Sequence, residues 1–152
     1  MREELVILDE DKAYARRRIA ELQKEIQELG PEFYEVFNQS SETWHDNAPF
    51  DALRDRQSLL DAELQKLRQV LRDSLPGVPK KNPHLVGIGS ITKLASGRRY
   101  FIAGDWTPHA GQIKNNAVVV SRRAPLAGVL IGQKVGAPVV VGGKSDQITA
   151  IL

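Results

Sequence analysis

Two carboxylates, Glu42 and Asp46, lie four residues apart in the polar stretch Asn38-Gln39-Ser40-Ser41-Glu42-Thr43-Trp44-His45-Asp46-Asn47. Carboxylates offer oxygen to hard cations, or they simply hold water in an exposed turn. From residue types alone both readings stay open. His45 lies between the two acids with no cysteine or second histidine near it in sequence, and it reads as a surface residue, as do His84 and His109. Trp44 is expected to be exposed, and exposed tryptophan often marks a contact. A second group is cationic: Arg16, Arg17 and Arg18 form a run, and Arg68 and Arg72 stand one turn apart further along.

Two helical segments must position these residues. Leu5, Leu8, Ala15, Ile19, Leu22, Ile26, Leu29, Phe33 and Val36 recur at intervals of three and four, with Lys12 as the one charged interruption. That spacing is a heptad seam. A second series runs through Leu53, Leu60, Leu64, Leu67 and Leu71, with Gln57 in one seam slot. The two are expected to pair antiparallel, each burying the apolar stripe of the other, with residues 38–47 as the tip. Pairing brings Arg68 and Arg72 to about the level of Arg16–Arg18. Gly30-Pro31 predicts a kink or short break in the first helix. Asn47 is an N-cap candidate, with Ala48 and Pro49 as the first helical residues.

Leu75-Pro76-Gly77-Val78-Pro79-Lys80-Lys81-Asn82-Pro83 ends the second helix and predicts a semi-rigid linker. Beyond it the pattern turns to short β-type runs over residues 85–94, 99–103, 117–120, 139–141 and 147–151, with one helical stretch at 124–131. The glycines at 87, 89, 142 and 143 make no phosphate-binding fingerprint. The expected class is α+β.

Composition limits the function. The chain has 152 residues, about one average domain, with 26% charged and 41% hydrophobic residues, which is the range of soluble globular proteins. It has no cysteine, so disulfides, zinc–thiolate sites and thiol catalysis are excluded. No apolar run reaches a membrane span, and Met1-Arg2-Glu3-Glu4 lacks the apolar stretch of a signal peptide, so the cytoplasm is the expected location. Residues 1–75 carry 11 Lys+Arg against 17 Asp+Glu, a formal −6, whereas residues 76–152 carry 10 against 2, a formal +8. Such a division points to a large charged partner.

The stretch Arg123-Ala124-Pro125-Leu126-Ala127-Gly128-Val129-Leu130-Ile131-Gly132-Gln133-Lys134-Val135-Gly136 resembles the Ser-Pro-Leu-Gly-x-Ala-Leu-Leu-Gly-Lys-x-Val-Gly-Asp signature of the Gre transcription elongation factors. Ala124 stands for the serine and Ala137 for the aspartate. The resemblance extends over nearly the whole chain, with Ile102-Ala103-Gly104-Asp105 ahead of the signature. It implies an N-terminal antiparallel coiled-coil hairpin over residues 1–75, a linker over 76–84 and a small FKBP-like β-rich domain over 85–152.

The resemblance also implies a function. Gre factors bind bacterial RNA polymerase: the C-terminal domain docks at the rim of the secondary channel, and the hairpin carries acidic tip residues to the catalytic centre. There the acids help hold a Mg2+ with which the polymerase cleaves backtracked RNA. Two carboxylates make a poor Mg2+ site alone but can complete one already supplied with oxygen ligands and phosphate. The implied site residues are Asp46 and Glu42 for the shared metal, and Arg16, Arg17, Arg18, Arg68 and Arg72 for nascent RNA. Pro125, Leu126, Gly128, Gly132 and Lys134 belong to the implied docking region. No cofactor of its own, no membrane and a monomeric state are expected.

Asp46-Asn47-Ala48-Pro49-Phe50 aligns with the Glu-Asn-Ala-Glu-Tyr of the family's tip, but Thr43 takes the place of its first acid, and Glu42 is one position early. A channel-binding regulator without cleavage is therefore the alternative. A stand-alone prolyl isomerase is a third reading, for which Tyr100, Phe101 and Trp106 are few aromatics.

Overall fold

The computed structural model describes residues 4–40 and 48–152. Its elements are α1 (Asp9–Ser40), α2 (Ala48–Asp73), β1 (Ile91–Leu94), β2 (Arg99–Ala103), β3 (Ile113–Lys114), β4 (Ala117–Ser121), α3 (Pro125–Leu130), β5 (Pro138–Val141) and β6 (Lys144–Ile151). They form two compact units, one of residues Ala13–Arg72 and one joining the chain up to Lys12 with Asp73–Leu152.

The first unit is a helical hairpin. Ala15, Leu22 and Leu29 of α1 and Leu64, Leu67 and Val70 of α2 are buried, each leucine contributing about 1.5–3 kcal/mol by leaving water. The pairing is antiparallel: Arg18 meets Glu63, Glu32 meets Arg56, and Phe33 sets its ring edge-on to Phe50 with centroids 5.6 Å apart. Of the kink or short break expected at Gly30-Pro31, the break does not occur: α1 runs through Pro31. Proline removes one backbone hydrogen bond and strains the turn before it. Leu29 and Phe33, packed on either side of that position, hold the helix together. α2 starts at Ala48 with Pro49 in its first turn, where a missing N–H costs little.

The second unit is a mixed six-stranded sheet in the order β3-β4-β2-β1-β6-β5. β2 and β4 are parallel and the other neighbours antiparallel. Alternation along β2 sends Tyr100 and Ile102 into the core beside Leu94, Val139, Val141 and Ile148, and α3 adds Ala127 and Leu130 from above that face. β2 matches the expected run, as do β4, β5 and α3 to within a residue. The first run is corrected: residues 85–90 turn rather than extend, and β1 begins only at Ile91. β3 was not expected. Its Lys114-Asn115-Asn116-Ala117 turn places Asn115 and Asn116 at φ 54° and 61°, the left-handed geometry that two-residue hairpins require and asparagine tolerates.

The units do not divide at residues 75 and 85 as expected from the sequence. Leu5, Val6 and Ile7 are buried in the sheet unit, not in the helical seam, and α1 starts only at Asp9. Leu5 N–H donates to the Asp73 carbonyl at 2.8 Å and Leu75 N–H to the Leu5 carbonyl at 2.8 Å. Lys12, the charged interruption of the seam, is accounted for here: its Nζ donates to the Leu75 carbonyl at 2.7 Å. Residues 76–84 likewise belong to this unit.

Asp105 ties these pieces together. Its Oδ2 accepts from Val6 N–H at 2.7 Å, and its own N–H donates to the Val6 carbonyl at 2.6 Å. Arg122 grips both carboxylate oxygens at 2.8 and 2.7 Å, and Arg123 adds a contact at 3.3 Å. Beside it, Gly104 lies so close to residue 6 that a Cβ there would fall on the Val6 carbonyl. Burial alone would raise the Asp105 carboxyl, but the Val6 N–H and the two guanidiniums outweigh it and hold it below its usual range. Asp11 goes the other way. Burial raises it despite a hydrogen bond from Thr107, and its Oδ2 has no hydrogen-bond partner among the described residues.

The two acids therefore have opposite effects on stability as pH changes. The depressed Asp105 contributes stability above the unfolded-state value near 3.8, and that contribution is lost as pH falls through the folded-state value. Asp105→Asn should lower the unfolding free energy at pH 7 by about 1–3 kcal/mol and flatten its fall below pH 4 in urea titrations. The raised Asp11 costs stability when charged, and the cost vanishes as pH falls. Asp11→Asn should leave stability at pH 7 equal or higher, and should weaken its pH dependence above pH 4.

Candidate functional site

Glu42, Asp46, Trp44, His45 and the N-cap candidate Asn47 lie outside the described residues. What the structure does show is the pair of helix ends flanking them: α1 extends to Ser40 and α2 begins at Ala48. Phe50 is fixed against Phe33, and Arg54 stacks over the Phe50 ring with 5.9 Å to its centroid. Among the described residues no group of three or more His, Asp or Glu side chains is placed to hold a metal ion.

The arginines of the hairpin differ from one another. Arg16 and Arg17 are exposed, as are Arg68 and Arg72. Arg68 and Arg72, with Gln65 and Leu71, line an open cavity of about 660 Å³ on α2, and the Arg72 guanidinium donates to Gln69 Oε1 at 2.6 Å. Arg18 is already committed. It makes two 2.9 Å hydrogen bonds to Glu63 and reaches Glu21 at 3.3 Å and Glu25 at 3.6 Å. The Arg18 hydrogen bond holds the Glu63 carboxyl below its usual range. Arg68 stands five residues past Glu63, about 7.5 Å along the helix axis, so Arg18 and Arg68 are near each other in level. Arg16, Arg17 and Arg68 are exposed, Arg72 is engaged with Gln69, and Arg18 is a strut of the hairpin.

The signature stretch folds as a capped helix and two glycine turns. Pro125 is the first residue of α3, where its fixed φ suits a helix start. Leu126 packs partly against the core and Ala127 wholly in it. Gly128 is exposed, and its Cβ position is open space. Gly132 ends the helix at φ 85°, a conformation in which a side chain would be strained, and its N–H donates to the Val86 carbonyl at 2.9 Å. Lys134 is exposed. Val129, Val135 and Val140 are also exposed in this part of the unit, at 37%, 56% and 58%.

Sequence reasoning missed the site at Asp105, where Arg122 and Arg123 spend their charge internally. A signal was present. Asp105 is one of only two acids after residue 75, and the pair of arginines follows in the next strand turn. Tyr100 and Phe101 fall on opposite faces of β2, Tyr100 in the core.

No family model matches the chain, and no curated protein does. Among solved structures the chain is similar to Gfh1, a homologue of GreA. The crystal structure of the GreA factor homolog 1 (Gfh1) protein of Thermus thermophilus is 17% identical, with a TM-score of 0.44, over 100% of this chain and 99% of that one. A structure of the transcription factor Gfh1 is 17% identical with a TM-score of 0.46, over 99% of each chain. That of Thermus aquaticus Gfh1 is 18% identical with a TM-score of 0.38, again over 99% of each.

The role of Arg18 as a strut can be measured apart from any partner. A double-mutant cycle with Arg18→Gln and Glu63→Gln should give a coupling of no more than about 1 kcal/mol, because both groups are partly exposed, and the coupling should shrink as salt is raised.

Proposed function

We propose that this chain is a Gre-like transcription factor that binds bacterial RNA polymerase through its secondary channel and acts on elongation complexes. One observation carries the reading: the signature stretch 123–136 forms α3 and its glycine turns on a sheet unit, in a chain whose other unit is a long antiparallel hairpin. The sequence likeness to the Gre signature therefore falls on an ordered surface element and not on a chance run of core residues. In this reading Pro125, Leu126, Gly128, Gly132 and Lys134 belong to the docking surface. Arg16, Arg17, Arg68 and Arg72 face nascent RNA, with Arg18 supporting them.

The chain has no active site of its own in this reading. Asp46 and Glu42 would each offer a carboxylate oxygen to a Mg2+ of the polymerase, which supplies charge stabilisation for hydrolysis of backtracked RNA. The protein works in the cytoplasm as a monomer. No helix is long and apolar enough to cross a membrane among the described residues.

A specific observation favours a second reading, that of a channel-binding regulator without cleavage. Thr43 occupies the place of the first tip acid, and misplacing a reacting group by about 1 Å can cost two orders of magnitude in rate.

Both are tested by RNA cleavage in purified backtracked complexes with Mg2+. Shortening of the transcript that is lost in Asp46→Ala, and reduced at least tenfold in Glu42→Ala, is the expected result for a cleavage factor. Binding to polymerase without shortening selects the regulator. Absence of binding overturns the proposal. Arg68→Ala should weaken RNA crosslinking in the same complexes more than Arg18→Gln does.

A further inference from the structure

The hairpin has two flanks of different chemistry. Arg18 of α1 meets Glu63 of α2 at 2.9 Å, and Glu32 of α1 meets Arg56 of α2 at 3.8 Å, so these four residues mark one flank. Glu21 and Glu25 close on Arg18 at 3.3 and 3.6 Å. This flank neutralises itself.

Helix geometry fixes what stands on the other flank. Residues two apart on an α-helix point about 200° apart around its axis. On α1, Arg16 is two residues from Arg18 and Tyr34 two from Glu32; on α2, Arg54 is two from Arg56 and Gln65 two from Glu63. All four therefore face away from the paired flank. Gln23 and Gln27 continue the α1 stripe at helical intervals, and Asp61, Arg68 and Arg72 the α2 stripe. The arginines and glutamines of both stripes are exposed, and Asp61 is the one acid in either. Gln65, Arg68 and Arg72 line the same open cavity with Leu71.

An aromatic ring stands at the far end of this flank. Tyr34 is 71% exposed and lies five helical turns, about 27 Å, from Arg16. Its neighbour Phe33 is edge-on to Phe50 at 5.6 Å, and the Arg54 guanidinium lies over the Phe50 ring at 5.9 Å. Measured from that aromatic pair, Tyr34 and Arg54 are about five residues of rise apart, about 7.5 Å along the hairpin. Helical side chains lean toward the N-terminus of their own helix, so in an antiparallel pair these two lean toward each other.

An uncovered ring beside arginines and side-chain amides is the composition that binds single-stranded nucleic acid: bases stack on the ring, cations follow the phosphates and amides reach the base edges. An acidic peptide would engage the arginines but has no planar group to lay on the ring. We propose that Tyr34 is a base-stacking residue for single-stranded RNA, which lies along this flank with a phosphate on Arg54 and its further backbone on Arg16, Arg68 and Arg72. The inference rests on the reading of the hairpin arginines as facing RNA. It adds to that reading a residue without charge, and it confines the strand to the flank opposite Arg18.

The test uses the full chain and two fluorescein-labelled RNA oligomers of eight nucleotides, oligo-A and an abasic strand that keeps the phosphates and lacks the bases. The expected result is saturable binding of oligo-A, with the abasic strand weaker by about fivefold or more. Tyr34→Ala should bring oligo-A down by a similar factor and leave the abasic strand unchanged, whereas Tyr34→Phe should bind both as the natural chain does. Arg54→Gln should weaken both oligomers, and Arg68→Gln should reduce the salt dependence of both. The Tyr34 side chain is on the surface, so thermal unfolding should be the same in Tyr34→Ala and Tyr34→Phe. Unchanged binding of oligo-A by Tyr34→Ala, an equal loss for both oligomers, tighter binding of a ten-residue oligo-Glu peptide, or no binding of oligo-A at low salt would each overturn the proposal. Polymerase binding is scored separately in the backtracked complexes and needs neither oligomer, so a failure of the role in transcription is told apart from a failure of this site.

Discussion

The sheet unit depends on one buried carboxylate. Asp105 is the junction at which the N-terminal segment, the end of β2 and the arginines after β4 are joined. A buried charge is costly unless its oxygens are all occupied. Here a backbone N–H and two guanidiniums occupy them. Gly104 is the steric counterpart of this arrangement: only a residue without a side chain lets the Val6 carbonyl approach closely enough for the Asp105 N–H to reach it.

This junction also explains why the charge asymmetry of the chain is not a uniform property of its surface. The formal +8 of residues 76–152 suggests a broad basic face, yet Arg122 and Arg123 share the carboxylate of Asp105 and Lys114 is paired with Glu10 at 2.8 Å. Lys12, from the acidic half, is tied to a backbone carbonyl. The other cations of this half stand at Lys80 and Lys81, at Lys93, Arg98 and Arg99, and at the exposed Lys134 and Lys144. Geometry turns a composition statistic into two or three places.

Much of the architecture was legible in the sequence where a periodic pattern ran uninterrupted. The seam from Ala15 to Phe33 and its mate from Leu53 to Leu67 could only be buried by each other, and the alternation at Arg99–Ala103 could only be a half-buried strand. Patterns failed where a local signal was weaker than a distant partner. Leu5 and Leu8 fit the seam by spacing, yet the Val6–Asp105 pairing across 99 residues draws Leu5 into the sheet unit, and no spacing rule detects it. Pro31 signalled a kink or a short break, yet the helix continues through it. β3 is too short to show a period, although its Asn-Asn turn was readable. At the candidate site, residue types and the family likeness selected the cations, but only coordinates could separate the open arginines from Arg18.

The way the N-terminal segment is used has a consequence for how the molecule is made. In terms of chain connectivity, the hairpin is an insertion in the sheet unit: the segment before it and the chain after it complete a single core. During synthesis the hairpin unit, residues 13–72, has emerged in full before the partner of Val6 has been added. Leu5 can pair with Asp73 and Leu75 first, whereas Val6 must wait until residue 105 has emerged. A folded hairpin reduces the loop that then has to close, since its two ends are already held together. The rod-like insert thus acts first as a clasp for the ends of the sheet unit. A fragment beginning after residue 75 would lack part of its own interior.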